Sequence, residues 1–363
     1  MESSSNKTML AFVITPNEES KVKEIPIPIP PTGHALIHVL RAGVCNTDLE
    51  LMQGYMGFQG VLGHEFVGRV VEMNTSDDSL NESFLGERVC GDINVGCDSK
   101  ECFVCQGSLD SCCSKMSRNH CPNRTVLGIL NHNGTMAEYL TLPISNLHKV
   151  PPEMTDETAV FAEPLAAACR IVEQKLTKST DKVAILGDGK LGLMIAEVIG
   201  REALDTRPIL FGKHQHKLDL VKDIIDCKFV SEVIDKKAFG GVAAPYASQF
   251  DVVVDATGSP AGLSLCAGLC RPMGTLVLKS TCAAGEKFNA APFVIDELHV
   301  VGSRCGPVDK ALELLPEVNV NKYVTKTFPL SQAAKAIACA AEKTTMKVQI
   351  LCSEQEEASE EAS

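Results

Sequence analysis

The sequence predicts a two-domain α/β protein, and three observations carry that prediction. Residues 8–150 alternate short apolar runs with Gly and Pro punctuation, the pattern of strands and loops. From Lys182 onward, apolar runs alternate with helical periods, which predicts a parallel sheet with helices on both faces. The chain has 363 residues, enough for two domains at roughly 100–200 residues each.

Taken in order, Met9–Ile14, Ala35–Arg41 and Phe66–Glu72 read as strands. Pro26, Pro28, Pro30 and Pro31 exclude a central strand or a helix and predict an extended crossing. The pattern changes near Pro151. Thr155–Gln174 reads as a helix, with Asp156 and Glu157 in its first turns. Lys182–Gly187, Pro208–Gly212, Phe250–Asp255 and Gly274–Leu278 then read as buried strands. Between them, Leu191–Arg201, His216–Ile225 and Ala261–Arg271 read as helices. The alternation is expected to end near Phe293–Gly302, after which Ser331–Lys343 adds a helix and Val348–Cys352 a strand. Residues 354–363 are acidic, small and polar, and read as a solvated tail.

Composition narrows the function. The chain is 45% hydrophobic and 22% charged, which excludes wholesale disorder. The net charge is −12, and no Lys/Arg run offsets it, so no nucleic-acid partner is expected. No stretch of about 18 apolar residues occurs, so no membrane span is expected. The segment Met1-Glu2-Ser3-Ser4-Ser5 lacks the basic-then-apolar pattern of a secretory signal, and the expected location is cytoplasmic. Of 16 cysteines, seven fall within residues 90–121. Such clustering in a cytosolic chain points to metal rather than disulfides.

The segment Gly187-Asp188-Gly189-Lys190-Leu191-Gly192 is G-x-G-x-x-G directly after a predicted strand and opening a predicted helix. Gly187 permits a tight turn, Gly189 lets a pyrophosphate approach the backbone, and Gly192 allows close helix–strand packing. The anion would rest on the helix N-terminus, at Lys190 and Leu191. An acid about 20 positions on would bind the adenosine ribose and favour NAD. Gly212 stands there instead, followed by Lys213 and His214. The missing acid leaves room for a 2′-phosphate, so NADP(H) is favoured over NAD(H).

Two groups of metal ligands emerge. Cys97, Cys102, Cys105 and a fourth cysteine have spacings that let thiolates converge from one loop on a structural zinc. Cys121 and Cys113 compete for the fourth place, with Cys112 behind. The second group is dispersed: Cys45, His64 with Glu65, and Glu163. Cys, His and Glu together form a reasonable three-ligand zinc set with one position open to substrate.

These residues fall in motifs that resemble the zinc-dependent medium-chain dehydrogenase/reductase family over nearly the whole chain. Gly43-Val44-Cys45-Asn46-Thr47-Asp48 is similar to its G-x-C-x-[ST]-D motif, and Gly63-His64-Glu65-Phe66-Val67-Gly68 to its G-H-E-x-x-G signature. Gly86-Glu87-Arg88-Val89 resembles its G-[DE]-R-V turn, and the cysteine loop comes next, where the family has its structural zinc lobe. Glu163-Pro164-Leu165-Ala166 resembles the E-P-L-A segment of the polyol and threonine dehydrogenase branch. The glycine turn comes last, in family order.

The resemblance implies a GroES-like β catalytic domain of residues 1–153 and 300–363. Around residues 154–299 it implies an inserted Rossmann cofactor domain. It also implies zinc held by Cys45, His64 and Glu163, with Glu65 either an exchanging ligand or a buried carboxylate behind them. Thr47 would bond the reacting oxygen and Asp48 would orient His64. Thr257 would line the cofactor and Arg304 reach its pyrophosphate. The expected partners are an alcohol, aldehyde or ketone substrate and further copies of the chain, as a homodimer or homotetramer.

Two departures qualify the likeness. The first gap of the cysteine lobe is longer than the family's. The residues after Cys121 resemble the family's stretch beyond its last ligand, which favours Cys121 over Cys113. Glu50 stands where some members place a proton-relay His; it is expected to face solvent or to sit behind the ligands. The implied activity is an NADP(H)-dependent alcohol dehydrogenase or carbonyl reductase. The rivals are an NAD-dependent polyol- or threonine-type dehydrogenase and a non-catalytic dinucleotide-binding protein.

Overall fold

The computed structural model describes residues 7–15, 18–106, 118–237, 241–280 and 289–353. The acidic segment 354–363, expected to be a tail, lies outside them. The chain divides into two compact units, residues 1–163 with 308–363, and residues 164–307.

The first unit is built from short strands. β1 (Thr8–Ile14) lies between β2 (Lys21–Pro26) and a later strand at Gly60–Val61, all antiparallel. The prolines after Ile25 confine β2 to that sheet's edge, since Pro donates no ladder hydrogen bond. β3 (His34–Val44) is the axis of the main sheet. After β4 (Gly60–Val61), β5 (Glu65–Asn74) pairs antiparallel with β3. β6 (Arg88–Gly91) follows on β5, β7 (Asn94–Val95) and β8 (Thr125–Val126) form a small ladder, and β9 (Tyr139–Pro143) also pairs with β3. β10 (Leu147–Lys149) closes one flank on β6. Phe12, Ile37, Val39, Val44, Val67 and Leu142 are buried and form the core of this unit.

The second unit is one parallel sheet. β11 (Val183–Leu186), β12 (Ile209–Gly212), β13 (Asp226–Phe229), β14 (Phe250–Asp255), β15 (Cys270–Leu278) and β16 (His299–Gly302) lie in the order β13-β12-β11-β14-β15-β16. The order reverses at β11, the doubly wound arrangement in which ligands gather at the carboxyl ends of the strands. β11 is buried along its length, as a parallel strand covered on both faces must be. Phe211 packs edge-on to Phe250, and Val253, Leu269 and Leu276 complete the core.

The chain then returns to the first unit. β17 (Val324–Pro329) and β18 (Lys347–Leu351) pair parallel to each other, and β18 pairs antiparallel with β3. The result is a GroES-like β domain carrying an inserted Rossmann domain.

Several boundaries move. Thr155–Gln174 is two helices, Asp156–Ala159 and Ala162–Glu173. Pro164 has no N–H to continue the first helix but is tolerated in the opening turn of the second. The helix expected over His216–Ile225 is only Gln215–Leu218, because the chain re-enters the sheet at β13. β13 shows no apolar run, since it lies at the sheet's edge and none of its residues is fully buried. The division falls at 163/164 and 307/308 rather than at 153/154 and 299/300. At the far end the reason is β16, which is the sixth parallel strand and pairs with β15 from Thr275↔His299 to Leu278↔Gly302.

Candidate functional site

The register of β3 and β5 builds the first site. Gly43 pairs with Glu65, so the residues beyond both strand ends, Cys45 and His64, meet. A Cβ on Gly43 would lie 2.0 Å from Glu65 Oε2, so this approach needs glycine. One sulfur, one ring nitrogen and one carboxylate oxygen of Cys45, His64 and Glu65 lie within 4.8 Å of one another. Cys45 caps the helix Asn46–Met52, and its backbone N–H donates to Asp48 Oδ2 at 2.8 Å. Thr47 Oγ1 is 3.8 Å from Cys45 Sγ.

His64 Nδ1 stands 3.3 Å from Asp48 Oδ1, both side chains being buried. The two atoms are not aligned as a hydrogen bond, and neither has another partner among the described residues. A cation on Nε2 would lock the ring with Nδ1–H toward Asp48, the arrangement metal-bound imidazoles need. Burial works against a charge on His64, but the Asp48 carboxylate and then Cys45 raise its pKa well above the usual range. Glu163 lies in the first turn of helix Ala162–Glu173, outside the close three-atom set. Burial pushes its carboxyl up to about 7; the His64 charge opposes this and that of Glu65 adds to it. A divalent cation between Cys45, His64 and Glu163 would favour its ionised form.

Sequence reasoning missed Lys347. β18 lies beside β3 on the side opposite β5 and delivers Lys347 Nζ to both oxygens of Glu65, at 2.8 and 2.5 Å. Both side chains are buried. No local motif signals such a lysine; only the strand pairing does. Lys347→Met leaves the Glu65 charge unpaired and is expected to cost about 3–5 kcal/mol. A thermal melt measures it, and adding Glu65→Gln is expected to restore most of the loss. An unchanged Tm in the single variant refutes the pairing.

Glu50 is exposed, as is Tyr55 in a short 3-10 turn, whereas Phe58 is buried.

The four thiols Cys97, Cys102, Cys105 and Cys121 also lie within 4.8 Å of one another. Cys97 and Cys105 are 3.9 Å apart, as are Cys102 and Cys121. A thiolate tetrahedron with metal–sulfur bonds near 2.3 Å has edges of about 3.8 Å, so the spacing suits zinc. It is far beyond a disulfide bond. The backbone N–H of Cys105 lowers the Cys102 thiol to about 7. Cys112 and the rival Cys113 lie outside the described residues.

In the second unit the predicted cofactor residues share the carboxyl edge of the parallel sheet. Gly187 follows β11 with φ +116°, a conformation that glycine alone adopts readily. A Cβ on Gly192 would lie 2.0 Å from Gly187 O, while Gly189, at the helix start, faces open space. Lys190 and Leu191 form the first turn of helix Lys190–Ile199. Thr257, after β14, donates through its backbone N–H and hydroxyl to Asp255 Oδ1. Arg304, after β16, is exposed, and its carbonyl accepts from Lys279 Nζ at 2.8 Å.

The room expected at Gly212 is occupied. A Cβ there would meet Leu218 Cδ2 at 2.7 Å, Asp188 Cβ at 2.8 Å and Asp188 Oδ2 at 2.9 Å. The backbone N–H groups of Lys213 and His214 both donate to Asp188 Oδ2 at 2.7 Å. Gly212→Asp is therefore expected to overpack this corner and cost about 1–3 kcal/mol, visible as a lowered Tm. An unchanged Tm would show that the corner can open.

Two family models match the chain: the alcohol dehydrogenase GroES-like domain over residues 31–152 and zinc-binding dehydrogenase over residues 189–319. An erythritol/L-threitol dehydrogenase of Mycolicibacterium smegmatis is 27% identical over 94% of this chain and 97% of its own length. A sorbitol dehydrogenase of Halalkalibacterium halodurans is 28% identical over 87% of this chain and 90% of its own. The crystal structure of a zinc-binding dehydrogenase from Sinorhizobium meliloti bound to NADP superposes with a TM-score of 0.80. It has 26% identity and covers 95% of this chain and 99% of that one. Among the described residues no helix is long and apolar enough to cross a membrane.

Proposed function

We propose the function of this chain from one premise: it belongs to the zinc-type medium-chain dehydrogenase/reductase family. It is an alcohol oxidoreductase of the zinc- and nicotinamide-dependent kind. We infer that its substrate is a polyol or a related secondary alcohol, or the corresponding carbonyl compound. The observation that carries the reading is the convergence of Cys45, His64 and Glu65 on one point, with Asp48 behind His64. A purely binding protein has no use for such a donor set. Relatives named for erythritol, threitol and sorbitol support the polyol class.

Cys45, His64 and Glu163 would hold the catalytic zinc, and Cys97, Cys102, Cys105 and Cys121 a structural one. When bound, the catalytic ion supplies Lewis acidity to the substrate oxygen, and the dinucleotide takes or gives hydride. Lys347 bonds both oxygens of Glu65, which stands within reach of the metal position as an exchanging ligand or as a buried carboxylate behind the other ligands. Asp48 fixes the His64 ring. Thr47 Oγ1, beside Cys45 and partly exposed, accepts the proton of the substrate hydroxyl and passes it toward solvent. The Gly187–Gly192 turn offers backbone N–H groups to the pyrophosphate.

The test is dinucleotide reduction, read at 340 nm, with erythritol, threitol, sorbitol and simple alcohols. Four- to six-carbon polyols are expected to exceed ethanol by about tenfold or more in kcat/KM, one missing set of hydroxyl contacts. A protein that binds dinucleotide but reduces it with no alcohol would instead be the non-catalytic binder.

A further inference from the structure

The ribose end of the dinucleotide site carries a charge that the strand itself does not encode. β12 ends in Gly212, with no acid. Asp188, from the glycine turn of the neighbouring strand, reaches across and places its carboxylate against that strand end. Its Oδ2 accepts the backbone N–H groups of Lys213 and His214, both at 2.7 Å. His214 Nδ1 lies 3.0 Å from the same oxygen.

We infer that Asp188 makes this site selective for NAD(H): its carboxylate fills the anion cradle at the end of β12 and so rejects the 2′-phosphate of NADP(H). The inference rests on the dinucleotide-binding reading of the glycine turn.

Three observations support it. Successive backbone N–H groups converging on one point form an anion nest, and here both donors already serve an anion of the chain's own. A 2′-phosphate would have to displace that carboxylate or lie against it at like charge. Second, the Asp188 side chain is 8% exposed. Burial alone would push its pKa up, but the N–H groups of His214 and Lys213 bring it below the ordinary value. The group is therefore charged at neutral pH. Third, the His214 ring is already engaged by the chain's own carboxylate, its Nδ1 lying 3.0 Å from Asp188 Oδ2. All three contacts fall on Oδ2, which leaves Oδ1 to accept from a ribose hydroxyl. Gly212 and Asp188 are coupled, since a side chain at 212 would strike Asp188. The acid usually borne by the strand is borne by the turn.

The experiment is a fluorescence titration of the full-length protein with NADH and with NADPH, for the wild type, Asp188→Asn and Asp188→Ala. Asparagine keeps an acceptor oxygen for the two backbone donors and removes the charge. The wild type is expected to bind NADH at least about tenfold more tightly than NADPH, as like-charge apposition costs that much or more. Asp188→Asn is expected to narrow the ratio at least about tenfold, chiefly by tightening NADPH. Wild-type protein that prefers NADPH overturns the inference while leaving the dinucleotide reading intact. So does a ratio unmoved in both variants. Wild-type protein that binds neither dinucleotide overturns both. If a variant fails to fold, the wild-type ratio still decides.

Discussion

Cys45→Ser is expected to lower turnover by about a thousandfold or more. Lewis-acid assistance contributes several kcal/mol to the barrier, and each 1.36 kcal/mol is about tenfold in rate. Cys45 is the sulfur member of the donor set, placed at a helix N-terminus with its own N–H bound to Asp48. Serine keeps the shape but supplies a neutral, poorly coordinating hydroxyl. Zinc per chain is expected to fall by one. Dinucleotide affinity is expected to be unchanged, because the glycine turn belongs to the other unit. Full turnover in the variant would remove the metal mechanism, and a zinc content indifferent to Cys45 would do the same.

The largest effect on stability is expected at the thiol lobe. Cys102 and Cys121 are buried, and with Cys97 and Cys105 they form a small cluster joined by Val104. So small a core cannot hold a loop by burial alone; a structural zinc in such a site supplies about 10–16 kcal/mol of apparent binding energy in isolated peptides. Cys121→Ser is expected to release one zinc and lower the melting temperature. It should also open this segment to proteolysis, with the wild type behaving likewise after chelation. Two zinc ions retained in Cys121→Ser would mean that another cysteine completes the set, with Cys113 the first to try.

How legible each feature is in the sequence depends on the distance over which it is determined. The glycine turn is local: strand, turn and helix start lie within ten residues, and Gly187 and Gly192 each have a steric reason in the structure. The four thiols are nearly as local, within one loop. The dispersed group is different. Nothing in the spacing of Cys45, His64 and Glu163 links them, and only the likeness of their flanking motifs to a family does so. The β3–β5 register supplies the physical link. Lys347 and Asp188 lie beyond both kinds of reasoning. Lys347 depends on a pairing between segments some three hundred residues apart, at Val44↔Val348. Asp188 occupies a variable position of its motif, and its role depends on a glycine in the next strand. The broken helix at Val160–Phe161 is legible in principle, from Pro164.

The late arrival of Lys347 bears on how the protein is made. Glu65 leaves the ribosome 282 residues before the lysine that neutralises it. The whole inserted Rossmann unit is synthesised in that interval, and its contacts lie within one continuous stretch. It can therefore fold while translation continues, as domains generally do. The first unit cannot complete its sheet in that interval: its central strand β3 lacks the neighbour β18, and Glu65 lacks its Lys347 partner until the end. Completion of the first unit is thus deferred until nearly the whole polypeptide exists, so a ribosome-stalled chain ending before β18 would carry a finished parallel-sheet unit and an unfinished β unit.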